Sequence, residues 1–93
     1  MFDIIDSRFK KYKKVDVPIG SGRQVILMFE NGYGISCMKH EFSYGNEMAV
    51  LRHDNYGRTE LCYDTHIADD ILSFVSKEDV ESIINEVRKL PKI

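Results

Sequence analysis

Ninety-three residues are enough for one small domain, and a composition 43% hydrophobic and 30% charged is that of an ordinary globular chain rather than a disordered or fibrous one. No apolar run approaches the roughly 18 residues of a membrane span, so no membrane partner is expected. The formal net charge of −2 argues against a protein basic throughout, but it hides an asymmetry: Arg8, Lys10, Lys11, Lys13 and Lys14 lie within seven residues, while acids outnumber bases from Asn31 onward.

The N-terminus, Met1-Phe2-Asp3-Ile4-Ile5-Asp6, lacks a basic region ahead of an apolar stretch, so no secretion signal is expected. Phe2, Ile5, Phe9 and Tyr12 recur at spacings of three and four, which predicts a helix over residues 3 to 13. Val15-Asp16-Val17 is β-like and ends at Pro18. Ile19-Gly20-Ser21-Gly22 reads as a turn. Val25-Ile26-Leu27-Met28-Phe29 is continuously apolar. A strand with one wet face alternates, so this one is expected to be central and covered on both faces. The N-terminal helix or a second copy of the chain would supply the second cover.

Asn31-Gly32 is the preferred pair for a two-residue type I′ hairpin turn. The return strand runs from Tyr33 to about Lys39. His40 to Asn46 forms a loop, and Glu47 to His53 a third strand. Asp54-Asn55-Tyr56-Gly57 closes another hairpin, with Gly57 suited to a left-handed conformation. Residues 58 to 65 form a fourth strand. Short connections predict pairing in sequence order. Asp69-Asp70 then opens a short turn or helix through Phe74. Ser76-Lys77-Glu78-Asp79 resembles a capping box. Val80, Ile83, Ile84, Val87 and Leu90 follow as an apolar helical stripe, ended by Pro91.

These elements predict a single α+β domain over residues 1–93. A helical, basic segment and linker (1–22) precedes an antiparallel sheet (23–65), and C-terminal helices (69–90) follow. The sheet is a four-stranded antiparallel meander, with an amphipathic C-terminal helix on one face and the N-terminal segment or a second subunit on the other.

Groups able to do chemistry are sparse. Asp64, His66, Asp69 and Asp70 have the right types for a divalent ion, but their order matches no metal loop. The plainer reading has Asp69 and Asp70 at a helix start, where negative charge is favoured. Cys37 and Cys62 have no CxxC or zinc spacing and are expected to be reduced, buried thiols, although a bridge between strands is left open. A nucleophilic role beside His40 or His53 lacks an orienting third group. Gly20-Ser21-Gly22 lacks the rest of a phosphate loop and precedes a strand. No enzyme activity, cofactor or metal is therefore expected.

Two binding readings stand. Tyr33, Phe42, Tyr44 and Tyr56 fall in or beside turns, where aromatics either anchor a partner or cover a core edge. Arg8, Lys10, Lys11, Lys13 and Lys14, with Tyr12 interleaved, could instead contact phosphates and stack on a base. A solvated helix face is the plainer account of that run.

Several segments together resemble a group of short bacteriophage and prophage proteins. They are Phe29-Glu30-Asn31-Gly32-Tyr33-Gly34-Ile35-Ser36, Phe42-Ser43-Tyr44-Gly45, Met48-Ala49-Val50-Leu51, Leu61-Cys62-Tyr63-Asp64-Thr65, Ile67-Ala68-Asp69-Asp70-Ile71, and Asp79-Val80 through Leu90-Pro91. The resemblance spans about residues 25 to 91 and leaves out the basic segment. It implies phage origin and the host bacterial cytosol, and it implies no activity. The expectation is a non-enzymatic accessory protein of the anti-defence or host-takeover type. Its partner would be a host or defence protein or a small nucleotide signal, with nucleic acid as the alternative and a homodimer as the expected assembly.

Overall fold

A computed structural model describes residues 1–93. Helix α1 (Phe2–Arg8) runs into a 3₁₀ turn (Lys10–Tyr12). Five strands follow, β1 (Lys13–Ile19), β2 (Gly22–Met28), β3 (Tyr33–Lys39), β4 (Glu47–His53) and β5 (Thr59–Leu61), and then helix α2 (Lys77–Arg88). The strands form one antiparallel sheet in the order β1-β2-β3-β4-β5. The meander expected from the short connections is present, extended by one strand.

The added strand is β1. The helical spacing that starts at Phe2 holds only to Arg8, and the chain then tightens so that Tyr12 still reaches the core cluster. From Lys13 the backbone is extended and pairs with β2, with an irregularity between Lys13 and Val15. Pro18 is tolerated because β1 is an edge strand, where a missing N–H breaks no ladder bond.

Both hairpin turns differ from the two-residue loop expected at Asn31-Gly32. The Phe29 N–H donates to the Tyr33 carbonyl at 2.8 Å, and the Gly32 N–H to the Phe29 carbonyl at 3.2 Å. Gly32 has φ +88°, whereas Asn31 is not in the left-handed region. This is a three-residue loop, a type I-like turn followed by a left-handed glycine. Asp54 to Arg58 repeats the pattern with Gly57 at φ +78°.

Register divides the sheet into two faces. Val25, Leu27, Ile35, Cys37, Met48 and Val50 share one side, and all are buried. On them sit Ile5 and Phe9 of α1 and its exit, and Val80, Ile84 and Val87 of α2. Fully burying each of these aliphatic side chains stabilises the fold by roughly 1.5–3 kcal/mol. The Ser76 hydroxyl accepts from the Asp79 N–H at 3.3 Å, so the expected N-cap is in place. An ion pair between Arg8 and Glu81 (2.9 Å) ties α1 to α2.

The N-terminal helix does not supply the second cover expected for β2. α1 packs on the same side of the sheet as α2, and Ile26 is half-buried on the opposite side, which no helix covers. Of the short turn or helix expected over residues 69 to 74, no helix forms. There the chain is irregular and returns to the sheet at a single bridge, Leu72 to Met48. The Met48 N–H and carbonyl both bond Leu72, so this bridge completes the β4 edge beyond the short β5.

Candidate functional site

The two ends of the sheet are built differently. The hairpin end carries the β2–β3 and β4–β5 turns. The loop end carries the β1–β2 turn, the longer β3–β4 loop and the segment that precedes α2.

The β3–β4 loop ties itself. The Ser43 hydroxyl accepts from the His40 N–H at 3.0 Å and lies 2.9 Å from the His40 carbonyl and 2.8 Å from that of Gly45. The Phe42 N–H donates to Nδ1 of His40 at 3.1 Å. Beside the loop, the Glu41 carboxylate accepts from the Ser21 N–H (2.8 Å) and hydroxyl (2.7 Å). Those bonds, the backbone one first, pull the Glu41 carboxyl down to about 2. They also clamp the β1–β2 turn onto the β3–β4 loop.

The segment before α2 is sewn to the same loop. The Phe74 N–H donates to the Tyr44 carbonyl at 2.8 Å, and the Val75 N–H to the Asn46 carbonyl at 3.0 Å. Nδ2 of Asn46 returns a bond to the Val75 carbonyl at 3.1 Å. Phe74 itself has φ +51°, and it is the only non-glycine residue with positive φ. A left-handed backbone costs an ordinary L-residue roughly 1–2 kcal/mol. The Phe74 ring is nonetheless 74% exposed and lies 6.0 Å from that of Tyr44, which is 66% exposed. Phe42, 84% exposed, projects from the same loop. Gly45, at φ +65°, passes beneath the Phe74 ring, where a Cβ would come within 3.1 Å of it.

The structure therefore brings Phe42 and Tyr44 together at the loop end and adds Phe74, which sequence reasoning missed. In the sequence Phe74 sits in an apolar run, Leu72-Ser73-Phe74-Val75, that reads as core, and nothing local marks its left-handed backbone. Tyr56 is 83% exposed but lies in the β4–β5 turn, with the Arg58 guanidinium 5.3 Å from its ring. The length of β4, about 20 Å, separates it from the other rings. Tyr33 opens β3 and is half-buried against the core, not at a turn tip.

The basic segment is divided. Lys13 bonds Asp6 and Asp16, and Arg8 bonds Glu81. Lys10, Lys11 and Lys14 are exposed without an ion pair. The Tyr12 ring packs edge-on against Phe29 at 5.1 Å, with the Arg88 guanidinium 4.9 Å from it. Asp6 and Asp16 both grip Arg23, and those hydrogen bonds hold their carboxyls well below the usual range.

No group of three or more His, Cys, Asp or Glu side chains converges to hold a metal ion. Asp64 accepts from the Cys62 thiol at 2.9 Å and pairs with Arg52 at 3.3 Å. Burial pushes the Cys37 thiol up to about 12 and, together with Asp64, raises that of Cys62. Both thiols are free. β4 lies between them, so they are about 9–10 Å apart, beyond the reach of a disulfide. No helix is long and apolar enough to cross a membrane.

No protein-family model, curated protein sequence or solved structure matches the chain.

Proposed function

We propose that this is a non-enzymatic accessory protein, of the phage type its sequence resembles, that acts by binding a host or defence protein through the loop-end aromatics. The observation that carries this reading is Phe74. Its backbone is held in a strained conformation by the Tyr44 and Asn46 bonds, and the result of that strain is a ring presented to water. Strained backbone in a fold tends to persist where it positions a functional side chain. Tyr44 lies beside it and Phe42 projects from the same loop as Tyr44, and large aromatics supply much of the binding energy at protein interfaces.

A small nucleotide signal is the less favoured ligand. The cations nearest the α1 edge, Arg23 and Lys13, are already committed to Asp6 and Asp16. Nucleic acid would have to rely on Lys10, Lys11 and Lys14 without Tyr12, whose ring is packed.

The test is capture from host lysate by tagged protein, with nuclease and high-salt arms, comparing the natural chain with a Phe42→Ser/Tyr44→Ser/Phe74→Gly variant. The reading requires a protein that survives both treatments with the natural chain and is lost with the variant, at unchanged thermal stability. Recovery that nuclease or salt abolishes, as phosphate contacts demand, would transfer function to the basic segment.

A further inference from the structure

The uncovered sheet face has the opposite chemistry to a solvated one. A sheet face left in water is ordinarily polar. Here register places the charged strand residues Lys13, Asp16, Arg23, Lys39, Arg52 and Glu60 on the helix-bearing side, around the rim of the core. The uncovered side carries Val15, Val17 and Ile19 of β1, Gln24, Ile26 and Met28 of β2, Gly34, Ser36 and Met38 of β3, Ala49 and Leu51 of β4, and Leu61 of β5. Its charges lie only at its ends. Glu47 stands at the loop end, and Lys14, which lines a depression with Met28 and His53, at the hairpin end.

This face already packs within itself. Met28, Ala49 and Leu51 are buried yet stand apart from the main core cluster. The Met28 thioether folds over Gly34, where any Cβ would overlap its sulfur. Around them Val15, Val17, Leu61 and Ile71 are 37–50% exposed.

We infer that this face is the dimer interface, and that its occupant is a second copy of the chain. Five strands spaced about 4.8 Å apart and up to about 23 Å long present on the order of 500 Å² in projection. Two such faces bury about 1,000 Å², the threshold for a specific interface. The charges choose the arrangement. A two-fold axis lying between the sheets and across the strands reverses the ends and keeps the strand order, so the two Glu47 carboxylates stand at opposite ends of the interface, as do the two Lys14 ammonium groups. The interface is then isologous and closed, with the sheets about 10 Å apart as in a sandwich. Pairing through the sheet edge is disfavoured, because Pro18 and the irregularity at Lys14 blunt β1. The loop-end aromatics are left outside the interface, so the inference is independent of the proposed function.

Sedimentation equilibrium from low micromolar to near-millimolar protein tests it. A reversible monomer–dimer equilibrium is expected. Val17→Lys, on the exposed edge strand where folding is not at risk, should weaken the dimer by about tenfold or more, the equivalent of ~1.4 kcal/mol. Leu61→Lys, half-exposed on the opposite edge strand of the same face, should weaken it as well. Far-UV circular dichroism at low concentration checks that each variant is folded. A chain monomeric across the range overturns the inference. So does a dimer indifferent to both Val17→Lys and Leu61→Lys, or one abolished by the Phe42→Ser/Tyr44→Ser/Phe74→Gly variant.

Discussion

Asn31, in the β2–β3 turn, caps Val87, at the end of α2: its Nδ2 lies 2.9 Å from the Val87 carbonyl oxygen. The same amide nitrogen lies 3.2 Å from the Arg88 carbonyl and 3.0 Å from that of Leu90. Its Oδ1 accepts from the Tyr33 N–H at 3.0 Å, and its backbone carbonyl accepts from the Ile93 N–H at 3.1 Å. The last carbonyls of a helix lack partners within it. Here a side chain from the sheet supplies them, so one residue fixes both the hairpin and the seat of the C-terminal helix.

Asn31→Ala should therefore cost about 1–3 kcal/mol, since the Arg88 and Leu90 carbonyls lose this donor and that of Val87 keeps only the Leu90 N–H. Asn31→Asp should cost more at neutral pH. It keeps the acceptor for Tyr33 but sets a carboxylate against carbonyls at the negative end of the helix. Urea unfolding of both variants at pH 7 checks the order. The Asp variant should recover part of its deficit relative to the natural chain once acid neutralises the new carboxyl. Equal midpoints for all three proteins would show that the cap contributes nothing.

Glu41 predicts a pH dependence of known sign. Bonds from Ser21 hold its carboxyl at about 2 in the folded chain, against an ordinary value of 4.5. As pH falls, the unfolded chain takes up this proton first. The stability that Glu41 contributes is thus fully present above about 4.5 and lost progressively as pH drops towards 2. Asp6 and Asp16, depressed by Arg23 and then Lys13, act in the same direction. In Glu41→Gln the amide oxygen can still accept from Ser21, but without a charge. Its urea midpoint should lie below that of the natural chain at pH 7 and converge with it by pH 2.5. A constant gap would rule this origin out.

How much of this was legible depended on whether the cause was local. The apolar stripe from Val80 to Val87 and the Ser76 cap belong to one helix, and both appear as read, with Leu90 just beyond the helix end. Gly57, and the strands on either side of Asn31-Gly32, were readable from turn chemistry alone. Of β1 only the β-like Val15-Asp16-Val17 was readable; its start and its place as a fifth strand were not, because Phe9 and Tyr12 keep helical spacing to its threshold and the strand exists by pairing with Leu27 to Gly22. The cap by Asn31 spans 56 residues to Val87, a separation that no local pattern reports. Of the loop-end aromatics, Phe42 and Tyr44 were visible as turn residues. Phe74 was hidden because its conformation is imposed by hydrogen bonds from a loop some thirty residues earlier in the chain.

The two cysteines should be unreactive until the chain opens. Cys37 faces the core between Val25 and Met48, and Cys62 is buried with its thiol on Asp64. Both are held in the thiol form, and the thiolate is the reactive species. A thiol-reactive disulfide reagent at pH 8 should label the native protein far more slowly than it labels the protein in urea, where both sites react at once. Air oxidation should leave both thiols titratable after unfolding. Immediate labelling of one native cysteine would place it at the surface and contradict the packing.

Phe74→Gly should separate stability from binding. Glycine adopts φ near +51° without penalty, so the substitution removes the backbone strain of about 1–2 kcal/mol. It sacrifices little packing, since the ring is 74% exposed and touches mainly Tyr44. The N–H of residue 74 still reaches the Tyr44 carbonyl. The variant should be as stable as the natural chain or more so in thermal and urea unfolding. It should nonetheless lose its captured partner, and Tyr44→Ser should lose it too. Phe74→Ala keeps the strain while removing the ring, so it should stay near the natural chain's stability, below that of Phe74→Gly, and lose the partner. If Phe74→Gly instead unfolds more easily, the ring is a structural brace for the loop end, and the strain serves packing rather than recognition.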